Sequence, residues 1–197
     1  SVFGGSRDRL MGRGVMLLRH GKSDWRVSVD DFDRPLKNRG KRGAQRMGAW
    51  IKAQNLVPDV VVSSPAERAW VTSEKCCKAM GLTVGDIQEE RRLYLADATE
   101  VLAFLSRDVP AAGRVMLVGH NPGLEQVLEF LLGKACPQPD DGKLLPTATL
   151  ACLSLPDDWS SLKKGDATLR RLVRGRQLPG RFACGPSEGT AYRDRPV

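Results

Sequence analysis

The sequence has little of what secreted, metal-bound or membrane proteins require. Its 197 residues include five cysteines and two histidines. The odd cysteine count and the lack of a C-x-x-C pair exclude a regular disulfide framework and a cysteine-based zinc site, which favours a reducing compartment. No apolar run approaches the roughly 20 residues of a membrane span, and the first residues form no apolar signal-peptide core. We therefore expect no membrane association and a cytoplasmic protein, or an organellar one after removal of a transit peptide.

Charge is distributed unevenly along the chain. The formal net charge is +8, and from Lys163 onward there are nine basic residues and three acidic ones. Such a stretch attracts polyanions, but aromatic side chains that would stack on bases are not interleaved with the cations, so nucleic acid is not expected as a partner. We divide the chain into a flexible segment at 1–14, one domain at 15–180 and a loosely ordered basic tail at 181–197. A domain of this length can form a core without disulfides or a structural metal.

Strand and helix patterns alternate along the domain. Three short apolar runs, rich in β-branched residues or leucine, end in turn residues as buried central strands do. They lie at 15–18, 60–62 and 115–118. Between these runs and after the last of them, apolar residues recur at helical spacing, most clearly at 124–132. This order predicts an α/β fold, a three-layer αβα sandwich with a mainly parallel central sheet and helices on both faces. Two later runs, at 149–155 and 168–173, predict edge strands.

Each predicted central strand is followed by residues that can bind an anion. They are Arg19-His20-Gly21 after the first strand, Ser63-Ser64-Pro65 and Arg68 after the second, and Gly119-His120-Asn121-Pro122-Gly123 after the third. Ligands of open α/β sheets bind outside the carboxyl ends of the strands. Both histidines of the chain and two arginines should therefore meet at one edge of the sheet.

This group of residues suits phosphoryl transfer. A transferring phosphoryl group carries charge on three oxygens, and an arginine fork binds two of them at once. A neutral imidazole can attack phosphorus and form a covalent intermediate. The surrounding cations favour a pKa of His20 below 6.5, whereas a carbonyl or carboxylate that accepts from its ring would raise that pKa.

Two other kinds of phosphate or metal site are excluded by spacing. Gly21-Lys22-Ser23 matches the end of a P-loop, but the first glycine of that motif would have to be residue 16, which is Met. The two histidines and the aspartates at 30, 31 and 33 match no metal-ligand spacing, so neither a metal nor a cofactor is expected.

The motifs together resemble those of a known family. Leu17-Leu18-Arg19-His20-Gly21 resembles the R-H-G signature of the histidine phosphatase superfamily, the phosphoglycerate-mutase-like group. R-H-G alone is a weak signature, but further matches to the compact SixA-type branch of phosphohistidine phosphatases follow in order over about 14–180. These are Lys22-Ser23-Asp24-Trp25, Asp33-Arg34-Pro35-Leu36, Arg39-Gly40, Ser63-Ser64-Pro65 with Arg68, Gly119-His120-Asn121-Pro122-Gly123 and Pro146-Thr147.

The resemblance implies that His20 is the nucleophile and that Arg19, Arg68 and His120 are catalytic residues that bind the phosphate. It implies metal-independent hydrolysis, through a covalent phosphohistidine, of phosphohistidine in a protein such as a phosphorelay or carrier domain. Larger relatives insert a helical cap, but here the segment between the second and third strands is too short for a large one. An open site suits a protein substrate. Two alternatives stay open: a phosphatase of small phosphomonoesters, and a non-catalytic phosphate- or polyanion-binding protein.

The sequence departs from the wider family in having no clear proton donor. Some relatives have Glu in the segment corresponding to Tyr94-Leu95-Ala96, where this chain has Leu95. Asp24, Asp97 and Glu125 are the remaining candidates. A phosphomonoester expels an alkoxide and gains roughly a hundredfold or more from a general acid, whereas phosphohistidine expels imidazole, a better leaving group. The missing acid thus favours N-phosphorylated substrates.

Further residues are predicted beside the pocket. Arg34, Lys37 and Arg39 extend its positive rim and could contact a phosphoprotein. Trp25 and Trp50 are interpreted as packing residues rather than as platforms for a substrate.

Overall fold

A six-stranded β-sheet forms the centre of the protein in the computed structural model, which describes residues 13–110 and 112–180. Of the flexible segment predicted at 1–14, residues 1–12 lie outside the described residues, as does the predicted basic tail at 181–197, whereas Gly14 begins the first strand. The strands are β1 (Gly14–Arg19), β2 (Val60–Ser63), β3 (Ile87–Glu89), β4 (Arg114–Gly119), β5 (Thr149–Ser154) and β6 (Thr168–Arg174). Their order across the sheet is β3-β2-β4-β1-β5-β6.

Helices cover both faces of this sheet, which confirms the predicted three-layer α/β architecture. They are α1 (Asn38–Ala53), α2 (Glu67–Met80), α3 (Ala98–Arg107) and α4 (Gly123–Leu132). Successive side chains of a strand point to opposite faces, so Met16 and Leu18 pack in the cluster with α1 and α2, while Val15 and Leu17 pack in the cluster with α3 and α4. Strands buried on both faces give the short, continuous apolar runs of the sequence.

The sheet is mainly parallel, as predicted, but its edges differ from the prediction. Pairing is parallel among β1, β2, β3 and β4, whereas β5 runs antiparallel to both of its neighbours. The prediction of β5 as an edge strand is wrong, because it lies between β1 and β6 and its first five residues are buried. The edge strands are β6 and β3, and β3 was not predicted because Ile87 is its one buried residue.

Helix ends follow ordinary capping rules. At the C-terminus of α2, Gly81 has a φ of 88°, a left-handed conformation that glycine adopts without steric cost. At the N-terminus of α3, Asp97 accepts a hydrogen bond from the Glu100 backbone, and the Glu100 side chain accepts one in return. Within the part of the chain that the structure describes, no helix is both long and apolar enough to cross a membrane.

Candidate phosphate site

Both histidines lie at the same edge of the sheet, as the sequence predicts. His20 follows β1 and His120 follows β4, and these two strands are neighbours. The centroids of the two imidazole rings are 5.2 Å apart, and each residue is 6% exposed. The fold therefore brings together two residues that are 100 positions apart in the sequence.

One hydrogen bond fixes the tautomer of neutral His20. Its Nδ1 lies 2.7 Å from the backbone carbonyl oxygen of Gly21. A carbonyl can accept a hydrogen bond but cannot donate one, so Nδ1 carries the proton. In the neutral ring, Nε2 then keeps a free lone pair. The backbone carbonyl of His20 accepts from Ala148 N–H at 2.9 Å, which ties the turn to the loop before β5.

The turn after His20 depends on two glycines in close contact. A Cβ on Gly21 would lie 2.7 Å from the Gly40 carbonyl oxygen, and a Cβ on Gly40 would clash with the Lys22 carbonyl oxygen. The Gly21 N–H donates to the Thr72 hydroxyl at 2.9 Å. The R-H-G motif is thereby packed against the first turn of α1 and against α2, which holds the ring of His20 in place.

His120 is held from the end of β2. Its Nε2 lies 2.8 Å from the Ser64 hydroxyl oxygen, while its Nδ1 is buried and has no hydrogen-bond partner among the described residues. The ring of Tyr94 meets that of His120 edge-on, with centroids 5.7 Å apart. His120 therefore has one nitrogen fixed by the fold and one that is open to a ligand.

Arg19 is held by the loop that follows α4. One of its terminal nitrogens donates to the Leu145 carbonyl at 3.2 Å, and its buried Nε has no partner among the described residues. The Glu125 carboxylate accepts from Leu145 N–H at 2.9 Å. Burial lowers the pKa of Arg19, the nearby negative charge of Glu125 acts in the opposite direction, and Arg68 lowers the pKa further. The partly buried, desolvated guanidinium of Arg19 is suited to binding an anion.

Arg68 forms an ion-paired cluster that the sequence pattern did not predict. Its guanidinium donates to the Asp31 carboxylate at 2.9 Å and to the Asp31 backbone carbonyl at 2.5 Å. Arg34 donates to the same carboxylate at 2.5 Å, and the Tyr94 hydroxyl does so at 2.8 Å. We call Asp31, Arg34, Arg68 and Tyr94 the Asp31 cluster. Desolvation acts to raise the pKa of Asp31, but the hydrogen bonds from Tyr94, Arg34 and Arg68 outweigh it and lower that pKa.

The Asp31 cluster stabilises two buried cations, which gives a first prediction. The side chains of Arg34 and Arg68 are 8% and 4% exposed, and both would lose a charged partner in Asp31→Asn. The carboxylate itself is 44% exposed, so solvent screens part of the interaction. We expect the free energy of unfolding to fall by about 1–2 kcal/mol, measured by urea denaturation. The exposed neighbour Asp33 provides the control, since Asp33→Asn should change stability by less than about 0.5 kcal/mol. Equal effects of the two substitutions would contradict the role of the cluster.

Of the three basic residues predicted at the rim of the pocket, one is buried in the structure. Arg34 is buried at 7% exposure and donates to the Ser23 hydroxyl as well as to Asp31, so its assignment as an exposed rim residue is wrong. Lys37 is half-buried at the start of α1, whereas Arg39 is exposed. The packing role given to Trp25 is also wrong, because Trp25 is 73% exposed and stacks on the Arg34 guanidinium, which lies 3.6 Å from its ring centroid.

The three candidate proton donors have other partners. Asp24 forms two hydrogen bonds with the Arg26 guanidinium, and these bonds lower the pKa of Asp24. Asp97 caps α3, and Glu125 holds Leu145. In the described part of the chain, no group of three or more His, Cys, Asp or Glu residues is arranged to hold a metal ion.

Burial makes both histidines weak bases. It is the largest cause that lowers the pKa of His20 to about 3; the Gly21 carbonyl acts in the opposite direction, and His120, Arg68 and Arg19 lower the pKa further. Burial, followed by the charge of Arg68, lowers the pKa of His120 to about 3. The direction for His20 agrees with the sequence prediction, but burial and not the cations is the main cause.

We expect the free energy of unfolding to decrease as the pH falls below 6.5. An unfolded histidine takes up a proton near pH 6.5, whereas folded His20 and His120 stay neutral down to about pH 3. The unfolded state therefore binds more protons in this range, and acid stabilises it by about 1.4 kcal/mol per pH unit and histidine. Because an unfolded histidine is already half protonated at pH 6.5, the two residues should together remove about 3 kcal/mol between pH 6.5 and 5, measured by urea unfolding across that range.

The variant His20→Ala is the control for this pH dependence. It retains one of the two buried histidines, so its loss of stability per pH unit should be about half that of the wild type. A wild-type stability that stays flat from pH 7 to 5 would show that the folded histidines titrate normally.

Comparisons with known proteins agree with this geometry. Residues 15–94 match the model of the histidine phosphatase superfamily (branch 1). An uncharacterized protein of Mycobacterium tuberculosis (strain H37Rv) is 31% identical over 156 residues, covering 77% of this chain and 96% of that protein. An uncharacterized chloroplastic protein of Arabidopsis thaliana is 26% identical over 146 residues, covering 68% of this chain and 65% of that protein.

A solved structure extends the likeness to the whole fold. It is that of an Agrobacterium tumefaciens protein assigned as the phosphohistidine phosphatase SixA, with 28% identity and a TM-score of 0.67 over 82% of this chain and 97% of that chain. The chain belongs to the histidine phosphatase superfamily, in its SixA-like branch. The described residues contain no large cap domain, as the sequence predicts.

Proposed function

We propose that the protein is a metal-independent phosphohydrolase that transfers the phosphoryl group of a protein-bound phosphohistidine to His20. The observation that carries this proposal is the 2.7 Å hydrogen bond from His20 Nδ1 to the Gly21 carbonyl. It leaves a free lone pair on Nε2, in a ring that lies next to His120 and within the field of Arg19 and Arg68. A protein that only binds phosphate needs the cations but not a nucleophile held in one tautomer.

The reaction has two steps. In the first, Nε2 of His20 attacks phosphorus, the P–N bond of the substrate breaks, and the substrate ring, protonated on its other nitrogen, leaves as neutral imidazole. In the second, water attacks the phosphoenzyme, the bond between phosphorus and Nε2 breaks, and inorganic phosphate leaves with the oxygen of that water. Arg19, Arg68 and His120 stabilise the charge on the phosphoryl oxygens in both steps.

Unsatisfied buried nitrogens support this phosphate pocket. Arg19 Nε, Arg68 Nε and His120 Nδ1 are buried without a hydrogen-bond partner among the described residues. Buried donors without partners cost free energy, and a bound oxyanion would satisfy them. The Ser64 hydroxyl accepts from Ala66 N–H at 3.3 Å, so it can donate its own proton to His120 Nε2 and leave Nδ1 as a donor for phosphate.

The acid–base properties of the site favour phosphohistidine over phosphomonoesters. Asp31 is the carboxylate bound to Arg68, but its lowered pKa keeps it ionised at neutral pH, so it has no proton to donate. Asp24 is ionised for the same reason. Because imidazole leaves more readily than an alkoxide, the substrate that needs the least help from a general acid is N-phosphorylated.

Exposed apolar side chains beside the Asp31 cluster support a protein substrate. Trp25 and Leu95 are 73% and 67% exposed; Trp25 stacks on Arg34, and Leu95 directly follows Tyr94. Large apolar side chains exposed next to a site are typical of surfaces that contact a macromolecule. Leu95 also has a φ of 54°, a strained conformation for leucine of the kind that clusters at functional sites.

A paired assay tests this proposal. The protein is incubated with a histidine-phosphorylated protein and, separately, with O-phosphoserine, a phosphomonoester that expels an alkoxide, each with and without EDTA. We expect kcat/KM to be higher for the phosphohistidine protein by at least about 100-fold, since a missing general acid costs the ester roughly that factor, and unchanged by EDTA. A preference for the ester would favour the small-molecule phosphatase, and inactivity on both would favour a binding protein.

We propose a cytoplasmic or an organellar location, and the chloroplastic relative from Arabidopsis thaliana supports the second. Imaging of a fluorescent fusion made from the full-length gene would separate the two.

A further inference from the structure

We propose that a basic groove along α1 binds an acidic segment of the phosphoprotein substrate, which rests on the function proposed above. The groove consists of two adjoining cavities of about 350 and 510 Å³ that share Arg46. Nine cationic side chains line it. We define the groove by the six that come from α1, α2 and the turn after β1, which are Lys22, Arg39, Arg42, Arg46, Lys75 and Lys78; Lys143, Arg174 and Arg176 line the opposite wall.

The groove begins next to the proposed nucleophile. Lys22 is two residues after His20, and its backbone carbonyl accepts from Lys37 N–H at the start of α1. The opposite wall includes Ala148, whose N–H donates to the His20 carbonyl. A substrate whose phosphohistidine reaches His20 can therefore place its flanking residues in the groove.

The six defining cations of the groove lack the carboxylate partners that other surface cations have. By contrast, Arg26 pairs with Asp24 and Arg92 with Glu90. On the far wall of the groove, Arg174 and Arg176 pair with Asp141. Over the described ranges, no carboxylate lies within 4.0 Å of any of the six defining cations. The sequence of α1 contains no acidic residue at all. Clustered charge of one sign that is not neutralised within the protein attracts an anionic partner.

The dimensions of the groove favour an acidic peptide over a single small anion. From Arg39 to Ala49 the axis of α1 rises about 15 Å, which an extended chain spans with four or five residues. None of the lining residues is aromatic, so the groove offers no platform for stacking bases. Residues 181–197 carry three arginines against two acidic residues, so they are not a neutralising segment.

Charge reversal in the distal part of the groove tests this inference. The variant combines Arg42→Glu, Lys75→Glu and Lys78→Glu, all outside the proposed phosphate site. A matched control with the same change in charge combines Lys134→Glu, Lys163→Glu and Lys164→Glu, at exposed positions that do not line the groove. The substrates are p-nitrophenyl phosphate and two phosphohistidine peptides, one flanked by glutamates and the other by glutamines. A fluorescent, unphosphorylated decapeptide rich in glutamate serves as a binding probe.

For the wild type we expect kcat/KM to be at least about tenfold higher with the glutamate flank, an advantage that falls as salt is raised. The groove variant should lose this advantage and bind the decapeptide at least tenfold more weakly, while its turnover of p-nitrophenyl phosphate stays unchanged. The control variant should keep the advantage of the glutamate flank. Equal rates on both flanks would overturn the groove proposal and leave the proposed function intact. Inactivity on every substrate would overturn the proposed function, while the decapeptide would still report on the groove. Binding of a single-stranded oligonucleotide, but not the decapeptide, through these residues would replace the acidic peptide with a nucleic acid.

Discussion

Replacement of His20 by alanine should reduce kcat by at least about 10³-fold, which corresponds to roughly 4 kcal/mol of activation free energy. The substitution removes the proposed nucleophile, and water has no equally positioned route to the phosphoryl group. The neighbouring cations remain, so phosphate should still bind. The measurement is steady-state turnover of a phosphohistidine protein, with product inhibition by phosphate as the readout of the intact pocket.

The fold should survive this substitution because His20 lies beyond the last residue of β1 and outside both main apolar clusters. Circular dichroism and the urea midpoint at pH 7.5 serve as controls. A folded His20→Ala protein with near-normal turnover would eliminate the covalent mechanism.

The second large effect is expected for Arg68→Ala, which should reduce kcat/KM by about 10²–10³-fold. The guanidinium is 4% exposed and keeps an unpartnered Nε, so its removal takes away a dehydrated donor to the phosphoryl oxygens. Arg68→Lys should recover only part of the loss, because an ammonium keeps the charge but not the planar fork.

Arg107→Ala provides the matched control, since Arg107 is exposed in the last turn of α3 and should leave kcat/KM unchanged. If Arg68→Ala and Arg107→Ala have equal activity, Arg68 binds Asp31 for structural reasons alone.

The parts of the site that could be predicted from the sequence are those that lie at strand ends. A buried strand leaves a short apolar run, and the residue that follows it is placed by the sheet. Arg19, His20 and His120 could therefore be assigned to one edge from the order of the apolar runs alone, and the 5.2 Å between the two rings confirms that placement for the histidines. The antiparallel position of β5 could not be predicted, since an apolar run does not reveal which strand it pairs with.

The Asp31 cluster could not be predicted because its contacts are distant in sequence and depend on loops. Asp31 is 37 residues from Arg68 and 63 from Tyr94, and it lies between two other aspartates that look the same in the sequence. A hydrophilic loop gives no periodic signal from which the inward-pointing carboxylate could be chosen. For the same reason the sequence places Arg34 on the rim of the pocket, whereas the structure buries it.

The low pKa of His20 has a main cause, burial of the ring, that the sequence does not reveal. Counting nearby cations gave the right direction of the pKa shift, but the larger cause is the loss of water around a buried ring. Burial of a residue at a strand end depends on the segments packed around it, here the start of α1, which contains Gly40, and the loop that contains Ala148.

Trapping of the phosphoenzyme tests the covalent mechanism most directly. The protein is mixed with a ³²P-labelled phosphohistidine protein and quenched with alkali within milliseconds, conditions that preserve phosphohistidine, and its peptides are then separated and sequenced by mass spectrometry. The account predicts that the label appears on the peptide containing His20, at the histidine itself, that it decays as inorganic phosphate is released, and that it is absent from His20→Ala. Turnover without any labelled enzyme, or with the label on His120, would contradict it.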